Sequence, residues 1–155
     1  MLRLLGSLPT ENLGLAMSGG IDSMTIANFL YSGRREFTAF HFNHGTNHGN
    51  IAEQFVTEWC SRFEVPLVKN HINDLQDSIP DKVWKGPQDW YRTYRYEFFT
   101  KYNDYQIILG QHLDDVLETW LFSTFNGKTK LIPYERDNCI RPFLLSTKKA
   151  IKEHA

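Results

Sequence analysis

The sequence predicts an α/β fold: a doubly wound, mainly parallel sheet with helices on both faces. Two observations carry that expectation. Short apolar runs alternate along the chain with longer segments whose apolar residues recur at helical spacing, as repeated βαβ units require. The chain is also 155 residues long and 41% hydrophobic, enough for one domain with one sizeable core.

The elements follow in order. Leu13-Gly14-Leu15-Ala16-Met17 reads as a buried first strand, running through Ser18-Gly19-Gly20 into a helix that carries Met24, Ala27 and Leu30 and closes near Gly33. Phe37 to Phe42 is the second strand. Ile51, Phe55, Val56, Trp59 and Phe63 stand at helical spacing and predict a helix from Ile51 to about Phe63. Val65 to Val68 is the third strand. The polar stretch from Asn73 to Pro87, with Pro80 and Pro87, reads as a loop that has room for one short helix. Trp90 to Tyr102 forms a strongly aromatic helix and Tyr105 to Leu109 a fourth strand. A helix from about Asp114 to Phe125 comes next, then a fifth strand over Cys139 to Leu145 and a helix starting at Ser146. There is no repeat, low-complexity tract or internal linker.

Composition narrows the function classes. Seventeen basic residues against eighteen acidic ones leave a net charge of -1, so nucleic acid would have to meet a local patch and not a basic whole. Cys60 and Cys139 are far apart, with no CxxC, and read as reduced thiols. No stretch approaches the ~20 apolar residues of a membrane span, and the opening Met1-Leu2-Arg3-Leu4-Leu5-Gly6 is too soon interrupted for a signal peptide. A cytoplasmic location without membrane contact is expected.

The densest chemical signal is Ser18-Gly19-Gly20-Ile21-Asp22-Ser23, at a strand-to-helix junction. A helix start presents unpaired N–H groups and the positive end of the dipole, which favour a multiply charged anion. Gly19 and Gly20 let the backbone approach phosphates closely. Ser18 and Ser23 add hydroxyls, and Asp22 can hold a Mg2+ that bridges phosphate oxygens. A tight turn with a Ser or Asp cap is the plain alternative.

SGGIDS resembles the SGGxDS signature of the PP-loop ATP-pyrophosphatases, which include NAD, GMP and asparagine synthetases, tRNA thiolases and tRNA(Ile)-lysidine synthetase. The resemblance implies a domain that splits ATP between its α and β phosphates to activate another molecule. Further segments are similar to the lysidine synthetases. His41-Phe42-Asn43-His44-Gly45 matches HxNHG, Arg92 to Phe99 resembles ARxxRYxFF, Gly110 to Thr119 resembles AHHxDDxxET, and Arg141-Pro142-Phe143-Leu144 is similar to RPLL. Order and approximate spacing hold from Leu13 to Leu144.

The residues make sense by themselves as well. Arg92 and Arg95, three apart on a helix, can address one anion or form a solvated basic face. Asp114 and Asp115, at a strand mouth, suit a metal, an ammonium group or a helix cap, and Glu118 follows one turn later. His112 can orient a carboxylate or the substrate. Taken with the resemblance, the expected catalytic set is Asp22, Arg92, Arg95, His112, Asp114, Asp115 and Glu118, with Asp22 and Asp115 as metal ligands. ATP and Mg2+ are then expected on Ser18, Gly19, Gly20, Ile21, Asp22, Ser23, His41 and Asn43.

The implied reaction adenylates a cytidine base in a tRNA anticodon loop and joins free lysine to it. Another PP-loop ligase, or a reduced ATP- or AMP-binding domain, is the alternative. The chain departs from the pattern at Thr46 and Asn47, where an arginine is usual, at Gln111 for the first histidine, and at Asn126-Gly127 for an RG pair, with Lys128 and Lys130 following. It is read as a single PP-loop domain over residues 1–155 without the family's appended tRNA-binding domains. Weak tRNA binding is therefore expected, with a homodimer as one way to double the basic rim.

Overall fold

A computed structural model describes residues 1–75 and 86–155. Strand β1 (Leu13–Ala16) leads through the glycine-rich turn into α1 (Ile21–Ser32). There follow β2 (Thr38–Asn43), α2 (Asn47–Arg62), β3 (Leu67–His71) and one 3-10 turn (Ile72–Asp74). Then come α3 (Pro87–Thr100), β4 (Gln106–Ile108), α4 (Leu113–Phe125), β5 (Glu135–Arg136), β6 (Cys139–Ile140) and α5 (Lys148–Glu153).

The sheet order is β3-β2-β1-β4-β6-β5, parallel except for the β5–β6 pair. Strand alternation divides the core. Leu13, Leu15, Met17, Ala39 and Ile108 pack with Ile26, Leu30, Val56 and Cys60 of α1 and α2 on one face. Phe40, Phe42, Ile107 and Leu109 pack on the other face with Tyr94, Phe98 and Phe99 of α3. Helices thus cover both faces, as the apolar pattern predicts. Gly14 sits where a Cβ would come within 2.9 Å of Phe40 and Ile107, so its bareness lets two large neighbours meet over β1. The chain turns from β1 toward β2 on one side and lies beside β4 on the other. That reversal opens a crevice at the carboxyl ends of the strands.

Several boundaries move. Helix α2 starts four residues before the predicted Ile51, because the Thr46 hydroxyl accepts from Gly49 N at 3.0 Å and caps an earlier turn. Helix α3 starts at Pro87 and not at Trp90, since proline at a first helical position loses no bond. Of the polar stretch read as a loop, residues 76–85 lie outside the described residues. The fifth strand stops at Ile140, because Pro142 cannot donate to a ladder, and the short antiparallel β5 beside it was not predicted. Helix α5 starts at Lys148, where the Thr147 hydroxyl caps it, and not at Ser146. Both cysteines are free and buried. Among the described residues no helix is long and apolar enough to cross a membrane.

Candidate active site

At the crevice lies a cavity of about 380 Å3, with Ser18, Asp22, Ser23, His41, Arg95 and Gln111 in its wall. A larger one, about 460 Å3, opens at the amino ends of the strands near Leu13 and Thr38. Among the described residues no helix N-terminus is directed at that end, and in open α/β sheets ligands bind at the carboxyl ends.

The 18–23 turn is built for an anion. Gly19 has φ +83°, the left-handed region, and folds the chain back over α1. Gly20 caps α1 without a side chain, so no side-chain acceptor covers the first amides of the helix. Ser23 Oγ donates to Gly20 O at 3.1 Å and accepts from Ser18 N at 3.2 Å, which holds the turn in shape. Asp22 Oδ1 is buried without a hydrogen-bond partner. An unpartnered carboxylate oxygen beside a glycine-rich helix start fits Mg2+. The described residues contain no group of three His, Cys, Asp or Glu side chains able to cage an ion, so such a Mg2+ would draw most of its oxygens from phosphate and water.

His112 joins the two strand-to-helix junctions. Its buried ring stands with Nε2 3.3 Å from Asp22 Oδ2 and Nδ1 3.3 Å from Asp115 Oδ2, with Asp114 Oδ2 at 3.6 Å. Its backbone N–H donates to Asp115 at 2.9 Å, so Asp115 caps α4, while the ring Nδ1 is buried without a hydrogen-bond partner. Asp114 accepts from Lys148 N at 2.5 Å and anchors α5. Glu118 is exposed one turn further along α4.

His41 is buried, and its Nδ1 donates to the Met17 carbonyl at 2.7 Å. Burial lowers its pKa, and that bond only partly opposes the shift. The ring is neutral, so Nε2 is an acceptor, and it is buried with no partner. His44 is pushed down to about 4, first by burial and then by Arg95 and His41. Asn43 is directed elsewhere. Its amide donates to Asn50 and Glu53 and accepts from Gly45 N, which secures the β2–α2 turn, and it does not line the cavity.

The arginines converge on Tyr96. The guanidinium carbons of Arg92, Arg95 and Arg136 lie 5.8, 5.9 and 4.2 Å from its ring centre. Among the described residues neither Arg92 nor Arg95 pairs with a carboxylate. Arg95 keeps an open surface, yet desolvation over the cavity is the first cause of its lowered pKa, with Arg92 and Arg141 adding repulsion. Arg141 is fully buried, and among the described residues its acceptors are neutral: Tyr96 OH at 2.7 Å, Pro133 O at 2.9 Å and Gln111 Oε1. An unneutralised charge there leaves positive potential at the cavity floor.

Arg141, Gln111 and the Tyr96 hydroxyl are the members that sequence reasoning did not assign. The RP pair after the last apolar run was the available signal, since an arginine among core residues needs partners.

The whole chain, residues 1–155, matches the model of the PP-loop domain family. A tRNA(Ile)-lysidine synthase from Staphylococcus aureus is 31% identical over 160 residues, covering 92% of this chain and 36% of that protein. The bifunctional protein TilS/HprT of Listeria monocytogenes is 30% identical, covering 94% of this chain and 25% of that protein. The chain thus spans about a quarter to a little over a third of these relatives. Among solved structures, an NH3-dependent NAD synthetase from Campylobacter jejuni superposes with a TM-score of 0.64 at 15% identity, over 94% of this chain and 63% of that one. With the glycine-rich turn, the carboxyl-end crevice and a family match over its full length, the chain belongs to the PP-loop family.

Proposed function

We propose that this domain is the catalytic part of an ATP-dependent tRNA-modifying ligase that adenylates a cytidine base and joins lysine to it. One observation carries the proposal. Asp22, with an unspent oxygen at a glycine-rich helix start, shares one cavity with a tyrosine ringed by four arginines. Such a site suits a triphosphate held at one end and a pyrophosphate drawn away at the other. The similarity to lysidine synthases supports the choice of substrate.

In this reading the 18–23 amides hold the phosphates, and His41 Nε2 accepts from the 6-amino group of adenine. The C2 oxygen of the cytidine attacks the α-phosphorus. An oxygen–phosphorus bond forms, the α–β bridge breaks, and pyrophosphate leaves toward Arg95 and its neighbours. Asp22 and Asp115 would hold Mg2+, which supplies charge neutralisation along the phosphates. The carboxylates of Asp114 and Glu118 bind the lysine ammonium groups. One ammonium gives its proton to the neighbouring carboxylate, the resulting amine attacks C2, and the C2–oxygen bond breaks to release AMP while the adduct nitrogen loses a second proton to water. An anticodon base is already single-stranded, so little unstacking is needed.

Incubation with ATP and total tRNA, with and without lysine, followed by nucleoside mass spectrometry, tests the proposal. A lysine-dependent mass increase on cytidine is expected. ATP binding without any tRNA modification would refute it and favour a nucleotide-binding domain. A steep loss of tRNA affinity with salt is also expected, because the basic groups address phosphates.

A further inference from the structure

Gln111 stands between the two halves of the site. Its chain neighbours on either side adjoin the glycine-rich turn: a Cβ added to Gly110 would lie 3.8 Å from Ser23 N, and the His112 ring is 3.3 Å from Asp22 Oδ2. The half-buried side chain of Gln111 lines the same cavity as Ser18, Asp22, Arg95 and Tyr96. A nucleotide that reaches from the 18–23 turn to the arginines around Tyr96 therefore passes it.

The orientation of its amide is set from behind. The fully buried Arg141 donates through Nε to Gln111 Oε1. A guanidinium is a donor only, so the amide atom that meets it is the oxygen. The planar amide then turns Nε2 away from Arg141. Among the described residues Nε2 has no acceptor and is not enclosed, so its N–H groups are open to the cavity.

The arrangement makes this donor a strong one. Arg141 is too deeply buried to touch a substrate itself. A carbonyl that accepts from a cation draws electron density from its own nitrogen, which strengthens any hydrogen bond that the nitrogen donates. Gln111 thus carries the positive potential of a buried charge to the cavity surface without a mobile proton. Lysine or arginine in its place would have no atom to accept from Arg141.

We propose that Gln111 is a catalytic residue of the proposed adenylation, on which its role rests. Nε2 donates to a phosphate oxygen that gains charge as the cytidine oxygen bonds to the α-phosphorus and the α–β bridge breaks. No proton or electron pair passes through the amide; it stabilises charge as a fixed dipole. A neutral imidazole divides its two nitrogens in the same way, one accepting and one donating, which accounts for a glutamine here where the motif has a histidine.

Two variants and one spectrum test the role. Gln111→Glu keeps an acceptor for Arg141, so its urea midpoint should not fall, but it has no N–H to donate. Its kcat for pyrophosphate release with ATP, Mg2+ and tRNA should drop roughly 100-fold. Gln111→His, assayed at about pH 8 where an imidazole is neutral, should stay within roughly 10-fold of the parent. An increase in KM alone for Gln111→Glu would mean repulsion by the new charge and would overturn the role, as would a Gln111→His protein no better than Gln111→Glu. In the 15N-labelled parent chain, the Gln111 side-chain NH2 signals are identified by their loss in Gln111→Glu. They should move when Mg2+ and α,β-methylene ATP are added without RNA, and signals that stay in place up to millimolar analogue would overturn the contact. The two readings fail separately. A chain that shifts these signals and modifies no tRNA loses the tRNA reaction and keeps the amide–phosphate contact, whereas one that modifies tRNA with Gln111→Glu as fast as the parent loses only the role of Gln111.

Discussion

Replacing Gly19 by alanine should cost both stability and nucleotide affinity. At φ +83° an L-residue carries a penalty of about 1–2 kcal/mol from its own Cβ. That Cβ would lie 3.3 Å from Ala52 Cβ and 3.5 Å from the Ala52 backbone, and α2 cannot swing that backbone aside as a side chain would move. The sum is ~1–3 kcal/mol for a residue forced into this region. At the middle of that range a chain of this size should melt about 4–8 °C lower. A turn that relieves the contact by shifting carries its amides away from the phosphates, so ATP should bind roughly 10-fold more weakly. Gly20→Ala is the internal control for stability. Its φ is -76°, and its added Cβ would meet only the rotatable Ser18 hydroxyl at 3.3 Å, so its cost should stay within about 1 kcal/mol of a lost glycine cap. Scanning calorimetry and titration calorimetry with ATP and Mg2+ measure the two effects. Equal melting shifts in the two variants, or a Gly19→Ala protein that melts like the parent, would refute the reasoning.

Three other outcomes follow from the same site. Asp22→Ala should lower exchange of labelled pyrophosphate into ATP at least ~100-fold with an unchanged fold, since it removes the carboxylate with an unpartnered oxygen beside the glycine-rich turn; wild-type exchange would show the assignment to be wrong. Tyr96→Phe removes the acceptor of Arg141 Nη2 and should cost ~1–3 kcal/mol in urea unfolding, whereas a smaller change would mean that the guanidinium finds another partner. His44 has its folded pKa lowered from 6.5 to about 4, so between those values the unfolded chain binds the extra proton. Its stabilising contribution is therefore present above pH ~6.5 and is lost as pH falls toward about 4; His44→Gln should flatten the urea midpoint over that window, and an unaltered slope would count against a neutral His44.

Much of this protein was legible in the sequence because the relevant forces act between near neighbours. The strand-to-helix junctions at 18–23 and 110–115 are written in glycines, cap residues and a change of apolar period, all local quantities. The sheet-forming runs, the glycine-rich turn and the aromatic helix could be placed from them. Where a boundary slipped, a short-range cap decided it: Thr46 began α2 early, and Pro142 ended β6. Tertiary structure alone decided which side chains meet. Asp22 and His112 are ninety residues apart in the chain and 3.3 Å apart in space, and no spacing rule records that. Asn43, part of an expected nucleotide-binding motif, has its amide engaged in a turn. Arg141, read only as part of an RP pair, became a buried charge under the cavity because Tyr96 and Gln111 converge on it from two other elements. Burial, and the partners that it makes obligatory, depend on how the layers pack, and packing exists only once the chain has closed on itself.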